Sequence, residues 1–474
     1  MAVRHSKIVC TIGPASSTPR VIDGLLRTGM DVARLNFSHG TQQGHARSIA
    51  LLRAAASKHR TSLAILADLQ GPKIRTGALA GGTPVMLRKG ARFVLTTKDI
   101  LGDSSRVNTS FHSLPREVRR GDRILLSDGL IELRVEKVRE SEVICAVVNG
   151  GVLGEQKGIN LPGIKLRVPA LTKKDRRDLA FALNAGANYI AVSFVRRPED
   201  ILIARSLVRR AGMDTPIFAK LEKPEAIENL DEILRVSDGV MVARGDLGVE
   251  MSPEQVPVVQ KMIIARARES GRPVITATQM LESMIEHPRP TRAEASDVAN
   301  AVFDGSDAVM LSAETATGKY PVESVTMMAS IIEAAEASLR EFPRPTSQGR
   351  LKVAETIAEL ACRASRELRM KLIAVFTHSG FTAALISRYR PSVPIIAFTP
   401  EAETRNRLAL VWGVLPREIT DVRRIDALPA IAEKRLLEER LVRKGDVIAL
   451  ISGTPMEIRG TANIMKFHVI GGPA

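Results

Sequence analysis

Eight short apolar runs, several closing on charged or hydroxyl residues two positions apart, constrain the fold of this chain more than any other feature. They occupy residues 7–13, 32–38, 63–68, 189–195, 216–222, 239–246, 273–279 and 308–314. Amphipathic helical stretches such as 198–211 and 257–270 lie between most of them. Strands alternating with helices imply a parallel sheet, because a parallel partner is reached only through a crossover. The runs are apolar on both faces except at their ends, as strands covered on both sides must be. Eight such repeats predict a (β/α)8 barrel, an α/β fold whose polar strand ends form the mouth where the chemistry sits. Residues i, i+2 and i+4 of a strand share a face. Arg34, Asn36 and Ser38 are therefore expected to point together, as are Lys220 with Glu222, Arg244 with Asp246, and Ser312 with Glu314. Asp68 closes the third run alone.

At 474 residues the chain exceeds one ordinary domain. Residues 1–71 and 169–340 are assigned to the barrel. From 72 to 168 the pattern changes to short alternating strands with glycine turns. Ile131-Glu132-Leu133-Arg134-Val135-Glu136 follows an Asp128-Gly129 hairpin signal there. A β-rich domain inserted at that point stands over the mouth and can act as a lid that excludes water. The polar, proline-rich stretch 341–349 reads as a linker. Residues 350–474 read as a doubly wound α/β domain, with its clearest strands at 371–377, 394–399 and 446–452.

Composition narrows the function classes. No run of about 18 apolar residues exists, so a membrane span is not expected. The first residues lack a signal peptide's apolar stretch, and Cys10, Cys145 and Cys362 are odd in number and far apart. A reducing, cytoplasmic setting is expected. The balance of 68 basic against 52 acidic residues, net +16, admits nucleic acid as a partner. Aromatic residues make up only 3%, too few for a base-stacking platform, and the cations are spread through all segments. Anionic substrates explain the charge with fewer assumptions, and no nucleic-acid partner is expected.

The mouth residues suit phosphoryl chemistry. Glu222 and Asp246 can supply the one or two carboxylates that Mg2+ takes, the rest of its octahedron coming from water and substrate oxygens. Plain buried ion pairs, Lys220–Glu222 and Arg244–Asp246, are the alternative. Lys220 and Arg34 face the same metal, and flanking cations are what a phosphoryl group in transfer requires. Thr278, Ser312 and Glu314 are suited to positioning and proton delivery, although Thr276 and Thr278 are also ordinary strand-filling residues. Ser38-His39-Gly40 and Gly71-Pro72-Lys73-Ile74-Arg75-Thr76-Gly77 add groups that can cradle phosphate oxygens. In the C-terminal region, Thr377-His378-Ser379-Gly380-Phe381-Thr382 leads from a strand into a helix expected to start near Ala383. Backbone N–H groups there, with Thr377, Ser379, Gly380 and Thr382, make a candidate site for a phosphorylated effector. A simple helix cap is the alternative.

Several long motifs now stand in order. They are Lys7-Ile8-Val9-Cys10-Thr11-Ile12-Gly13-Pro14-Ala15, residues 33–40, residues 71–77, Phe218-Ala219-Lys220-Leu221-Glu222 and residues 241–248. Ala277-Thr278-Gln279-Met280-Leu281-Glu282-Ser283-Met284 and Pro288-Arg289-Pro290-Thr291-Arg292-Ala293-Glu294 complete them. In these the chain resembles the pyruvate kinase family over essentially its whole length. The resemblance implies transfer of the phosphoryl group of phosphoenolpyruvate to ADP, then protonation of the enolate to pyruvate. It implies Lys220 on the phosphoryl in flight, Arg34 holding it, and Glu222 and Asp246 on Mg2+, with Mn2+ able to substitute. It implies Gly245, Asp246 and Thr278 around the substrate, with Thr278 and Ser312 near the enolate methylene. It also implies Asn36, His39, Arg75 and Lys157 on the nucleotide phosphates, and a homotetramer.

The departures from the family pattern carry their own expectations. Asn36, Ser38 and Asp68 match the oxygen ligands of the monovalent-cation site found in many members. Leu69-Gln70 stands in place of Thr-Lys, however, and Lys73 in place of a glutamate. K+ is therefore expected not to be required, with the Lys73 ammonium supplying the charge. Phe381 stands where some members carry a basic residue, so a sugar phosphate or AMP is expected as the effector. Ala313 and Lys223 also depart from the pattern. The rival readings are a metal-enolate lyase or aldolase on the same barrel, and a basic nucleic-acid-binding protein.

Overall fold

The structure, a computed structural model, describes residues 4–164, 168–339, 352–420, 425–453 and 462–472. The expected linker at 341–349 lies outside the described residues. Eight parallel strands close into a barrel: β1 (Lys7–Thr11), β2 (Val32–Asn36), β3 (Ala64–Asp68), β4 (Tyr189–Val192), β5 (Ile217–Leu221), β6 (Gly239–Ala243), β7 (Val274–Ala277) and β8 (Ala308–Leu311). Each pairs with the next in sequence, and β8 pairs with β1. Alternate residues divide the strands between two cores. Val9, Val32, Leu66, Phe218, Met241, Ile275 and Met310 fill the lumen, while Ile8, Ala33, Ile65, Ala219 and Val309 face the surrounding helices.

Six of the eight strands stop two or three residues earlier than the apolar runs suggest, while β5 stops one residue early and β3 runs to the end of its run. Past Ala243 the chain turns at once into the helix Arg244–Glu250, and past Ser312 into the short helix Ala313–Ala316. A helix rotates successive side chains by about 100°, so residues two apart no longer share a face. The expected pairings of Arg244 with Asp246 and of Ser312 with Glu314 are corrected on this ground.

The insertion forms a six-stranded sheet running, in spatial order, Ile159–Asn160, Arg123–Leu126, Ile131–Val138, Glu142–Asn149, Arg92–Thr96 and Arg106–Asn108. The hairpin at Asp128-Gly129 is present, with Ser127, Asp128 and Gly129 all at positive φ. The C-terminal sheet contains β9 (Leu372–Phe376), β10 (Ile395–Thr399), β11 (Val414–Glu418), β12 (Val447–Gly453) and β13 (Ala462–Val469), in spatial order β11-β10-β9-β12-β13 with only β13 antiparallel. Among the described residues no helix is long and apolar enough to cross a membrane.

The C-terminal domain seals the barrel floor. Ala409 and Leu410 complete the lumen cluster, Tyr189 Oη donates to Arg407 O at 2.7 Å, and Gly413 N donates to His5 O at 2.9 Å. Lys7 Nζ, on the innermost face of β1, donates to Val414 O at 2.7 Å. Burial lowers the Lys7 pKa to about 8, with Asp31 and Glu336 opposing and Arg4 and Arg417 assisting. An unfolded lysine keeps its proton to about pH 10.4, so between these values the unfolded chain binds more protons and stability rises with pH. Measured by urea unfolding, wild type should gain about 2.5 kcal/mol over Lys7→Met between pH 7 and pH 10. A pH-independent difference would mean that Lys7 titrates normally.

Candidate active site

The mouth is organised around Asp68, the last residue of β3, which is 1% exposed. Its Oδ2 accepts from Arg34 Nε at 2.8 Å and lies 2.6 Å from Arg34 Nη2, while its Oδ1 lies 3.2 Å from Lys220 Nζ. Lys220 Nζ also meets Glu222 Oε1 at 2.8 Å and donates to Ser193 Oγ at 2.8 Å. Arg34 Nη1 donates to Thr11 Oγ1 at 2.9 Å. Burial pushes the Asp68 carboxyl pKa up, but Lys220 and Arg34 outweigh burial and hold it below the ordinary value. Burial likewise acts to lower the Lys220 pKa, and Asp68 and Glu222 reverse that into a net rise. Lys220 is thus a permanently charged, preoriented ammonium in a poorly solvated pocket.

Glu222 sits one residue past β5 and is 1% exposed. Its Oε2 accepts from Phe194 N at 2.6 Å, and Phe194 adopts φ 55 to present that N–H. Burial raises the Glu222 pKa, Lys220 opposes, and the Asp246 charge adds to the rise. Asp246 lies in the first turn of the helix Arg244–Glu250. A buried carboxylate raised by a second one beside it, both hard oxygen donors, fits a divalent cation such as Mg2+.

Arg244 does not enter the mouth as expected. It pairs with Asp297 (2.6 Å) and donates to Thr278 O (2.6 Å) and Gln279 O (3.2 Å). Those carbonyls belong to a turn in which Thr278 (φ 69) and Gln279 (φ 53) are both left-handed. A β-branched residue there is strained by about 1–3 kcal/mol, which the Arg244 bonds offset. The turn aims Thr278 Oγ1 at Gly245 N, which donates to it at 2.7 Å. Thr276 instead faces the helices and bonds Ser306 Oγ at 2.7 Å, so for that residue the strand-filling reading holds.

Glu314 is no free acid either. Its two oxygens accept from Leu281 N (3.1 Å) and Ser312 N (2.7 Å), so it clamps the loops after β7 and β8 together. Beside it, Ser312 Oγ is buried without a hydrogen-bond partner among the described residues.

The phosphate-handling loops converge from two sides. Gly71 turns the chain from β3 toward the lid at φ +70, where a Cβ would come within 3.0 Å of Ser193 and closer still to Phe194. Its N–H is held by Asp175 Oδ1 at 3.0 Å. Asn36 Oδ1 accepts from Ser38 N at 3.0 Å, closing the turn after β2. His39 keeps much of its surface in solvent, and partial desolvation of its ring, with the charges of Arg75, Lys73 and Arg34, depresses its pKa. Arg75 Nε is buried and without a partner among the described residues. Lys157 lies in the lid loop that precedes the strand Ile159–Asn160, where Thr76 Oγ1 accepts from Lys157 N at 2.9 Å, and its side chain is exposed. Lys73 and Asp246 line one cleft of about 610 Å3 between lid and barrel, with Asp128, Phe194 and Lys223. Lys223 pairs with Glu250 (2.5 Å), which also accepts from Asn160 of the lid (2.9 Å). The segment Thr377–Thr382 lies apart, at the carboxyl end of β9. The helix there begins at Phe381 rather than near Ala383, and Thr377 Oγ1 and Ser379 Oγ accept from the N–H groups of Gly380 and Phe381.

Residues 3–325 match the family described as pyruvate kinase, barrel domain, and residues 355–468 match pyruvate kinase, alpha/beta domain. The chain belongs to the pyruvate kinase family. A pyruvate kinase of Geobacillus stearothermophilus is 44% identical over 473 residues, 98% of this chain and 80% of the relative. One of Clostridium acetobutylicum is 40% identical over 473 residues, 99% of this chain and 100% of the relative. The crystal structure of a pyruvate kinase from Cryptosporidium parvum superimposes with a TM-score of 0.91 at 38% identity, covering 98% of this chain and 96% of that one. Pyruvate kinases use Mg2+, and the donor set of Glu222 and Asp246 suits it.

Proposed function

We propose that the mouth between barrel and lid transfers the phosphoryl group of phosphoenolpyruvate to ADP, with the catalytic roles held by Lys220, Arg34, Thr278 and Ser312. The observation that carries this reading is the buried network of Arg34, Asp68, Lys220 and Glu222, two cations and two carboxylates held rigid. Phosphoryl transfer needs little covalent help and much charge neutralisation in a fixed geometry. Arg34 and Lys220 flank the phosphoryl, and Asp68 and Ser193 hold them so that no reorganisation is needed in the transition state. Glu222 and Asp246 would hold Mg2+, which would supply neutralisation of negative charge on the bound substrate. Gly245 N and Thr278 Oγ1 turn from each other to the substrate carboxylate. Thr278 and the unpartnered Ser312 Oγ stand where the enolate carbon receives its proton. Asn36, His39, Arg75 and Lys157 receive the nucleotide phosphates, and the unused Arg75 Nε favours an anion there. A coupled assay for ATP formed from phosphoenolpyruvate and ADP tests the reading. Enolate cleavage without ATP would favour the lyase alternative.

Lys73, with Asn36, Ser38 and Asp68, makes K+ dispensable in this reading. Asp68 is already neutralised by Arg34 and Lys220, and Leu69 O, a carbonyl that could replace the missing threonine, accepts from Ser193 Oγ at 2.7 Å. A homotetramer, a cytoplasmic location and activity with Mn2+ belong to the same proposal.

The Thr377–Thr382 segment is proposed to bind a phosphorylated effector, a sugar phosphate or AMP, through its helix-start N–H groups and the hydroxyls of Thr377, Ser379 and Thr382. One effector of a sugar-phosphate and AMP panel should lower the half-saturating phosphoenolpyruvate concentration of wild type, and Ser379→Asp should abolish the shift. An unchanged saturation curve across the whole panel would rule this site out.

A further inference from the structure

The lid joins the barrel through two crossings of the chain, and one buried carboxylate fastens both. Asp175 accepts from Gly71 N at the first crossing, and from Thr172 N (2.8 Å) and Oγ1 (2.6 Å) just past the second. A lid pinned there can still turn, and its angle is set by what it touches on the helix Arg244–Glu250. That helix faces two ways. Its first turn carries Gly245 and Asp246 at the mouth, and its last carries Val249 and Glu250, which meet the lid. The lid hairpin comes close enough that a Cβ on Gly129 would stand 3.7 Å from Val249. Seven helical residues span only about 10 Å, a short stiff link between lid and mouth.

Glu250 is the centre of that contact, with a side chain only 2% exposed. Its Oε1 accepts from Lys223 Nζ (2.5 Å) on the barrel and from Asn160 Nδ2 (2.9 Å) on the lid. Lys223 follows Glu222 in sequence, and its ammonium stands 5.9 Å from the ring centre of Phe194, whose N–H holds Glu222. Asn160 ends a lid segment that is bonded along its length to residues 74–76. Ile159 N donates to Ile74 O (2.9 Å), Thr76 N donates to Lys157 O (2.8 Å), and Arg75 bridges to Gly158. The backbones of Arg75 and Lys157 therefore move with Asn160. A hydrogen bond to a carboxylate is among the stronger kinds, yet breaking this one leaves Glu250 still paired with Lys223. The contact can open and close without stranding a buried charge.

We propose that Glu250 is a positioning residue. By holding Asn160 of the closed lid, it sets Arg75 and Lys157 in register with Gly245 and Asp246 on its own helix, and so aligns ADP with the phosphoryl group. This rests on the roles assigned to those four residues above. Transfer between substrates held by two domains depends on such alignment, since a misplacement of about 1 Å costs on the order of 10^2-fold in rate. Lys223 serves the same device from the barrel side, as the partner that Glu250 keeps when the lid swings away.

Spin-label distances in the full chain test this. Cys10, Cys145 and Cys362 are buried, so nitroxides attach only at introduced cysteines. Labels on Glu140→Cys in the lid and Glu254→Cys on the barrel, both exposed positions, should report one dominant closed separation. Asn160→Leu removes the donor and Asn160→Asp repels Glu250, so each should lower the ratio of closed to open lid about tenfold. The double variant Asn160→Asp/Glu250→Gln exchanges donor and acceptor and should restore part of the closed population, which a merely structural residue would not do. If that variant fails to fold, the two lid variants still decide. In Asn160→Leu, kcat/KM for ADP should fall about tenfold while the KM for phosphoenolpyruvate stays within about twofold. Unchanged distances in both Asn160 variants, or an opened lid with unchanged kcat/KM for ADP, would overturn the proposal. A wild type that makes no ATP would count against the phosphoryl-transfer assignment instead, and the distances would still show whether Glu250 holds the lid.

Discussion

Replacing Lys220 with methionine should lower kcat by at least about 10^3-fold while the KM for phosphoenolpyruvate changes far less. The ammonium is held by Asp68, Glu222 and Ser193 before any substrate arrives. Its charge gains most when the phosphoryl bonds loosen, so its loss falls on the transition state more than on the bound ground state. Arg34 and the two metal carboxylates remain to bind substrate. Proton exchange at the pyruvate methyl should survive better than transfer, because Thr278 and Ser312 belong to the ends of β7 and β8 and do not touch Lys220. Near-wild-type ATP formation by this variant would end the assignment of Lys220.

The second large effect concerns monovalent cations. With saturating Mg2+ in tetramethylammonium buffer, wild type should reach its full kcat without K+, and Lys73→Glu should become K+-dependent. Lys73 borders the cleft that contains Asp246, and its charge is felt at His39, so it stands at the mouth rather than in open solvent. A further cation close to that ammonium meets repulsion, the more so where lid and barrel exclude water. A glutamate in its place reverses that sign. Strong K+ activation of wild type would sink the idea.

Much of this was legible in the sequence because parallel barrel strands are buried on both sides and announce themselves as apolar runs. Arg34, Lys220 and Glu222 were found by the two-residue spacing of strand faces. The same rule applied to β1 and β4 reaches Thr11 and Ser193, which orient Arg34 and Lys220 and were passed over as ordinary polar residues. Where the chain leaves the strand the rule fails, and so the roles of Arg244 and Glu314 were misread. The left-handed conformations of Phe194 and Thr278 have no local signature, because tertiary contacts impose them against the preference of the residues. In the C-terminal domain the strands missed were the edge strands β11 and β13. Pro416, which lacks a backbone N–H, is tolerated in β11 because that strand pairs on one side only.

The floor built from Ala409 and Leu410 has a consequence for how this protein is born. The eight barrel strands are complete in sequence once Leu311 has been made, yet their lumen stays unsealed until the C-terminal domain supplies its two apolar residues. During vectorial synthesis the first domain to be translated is therefore the last to finish its core. Until then the lower layer of that packed lumen is uncovered, and a nascent chain at that stage presents a natural surface for a chaperone. A chain ending at residue 339 should present a barrel that proteases open readily, while the full chain of 474 residues should not.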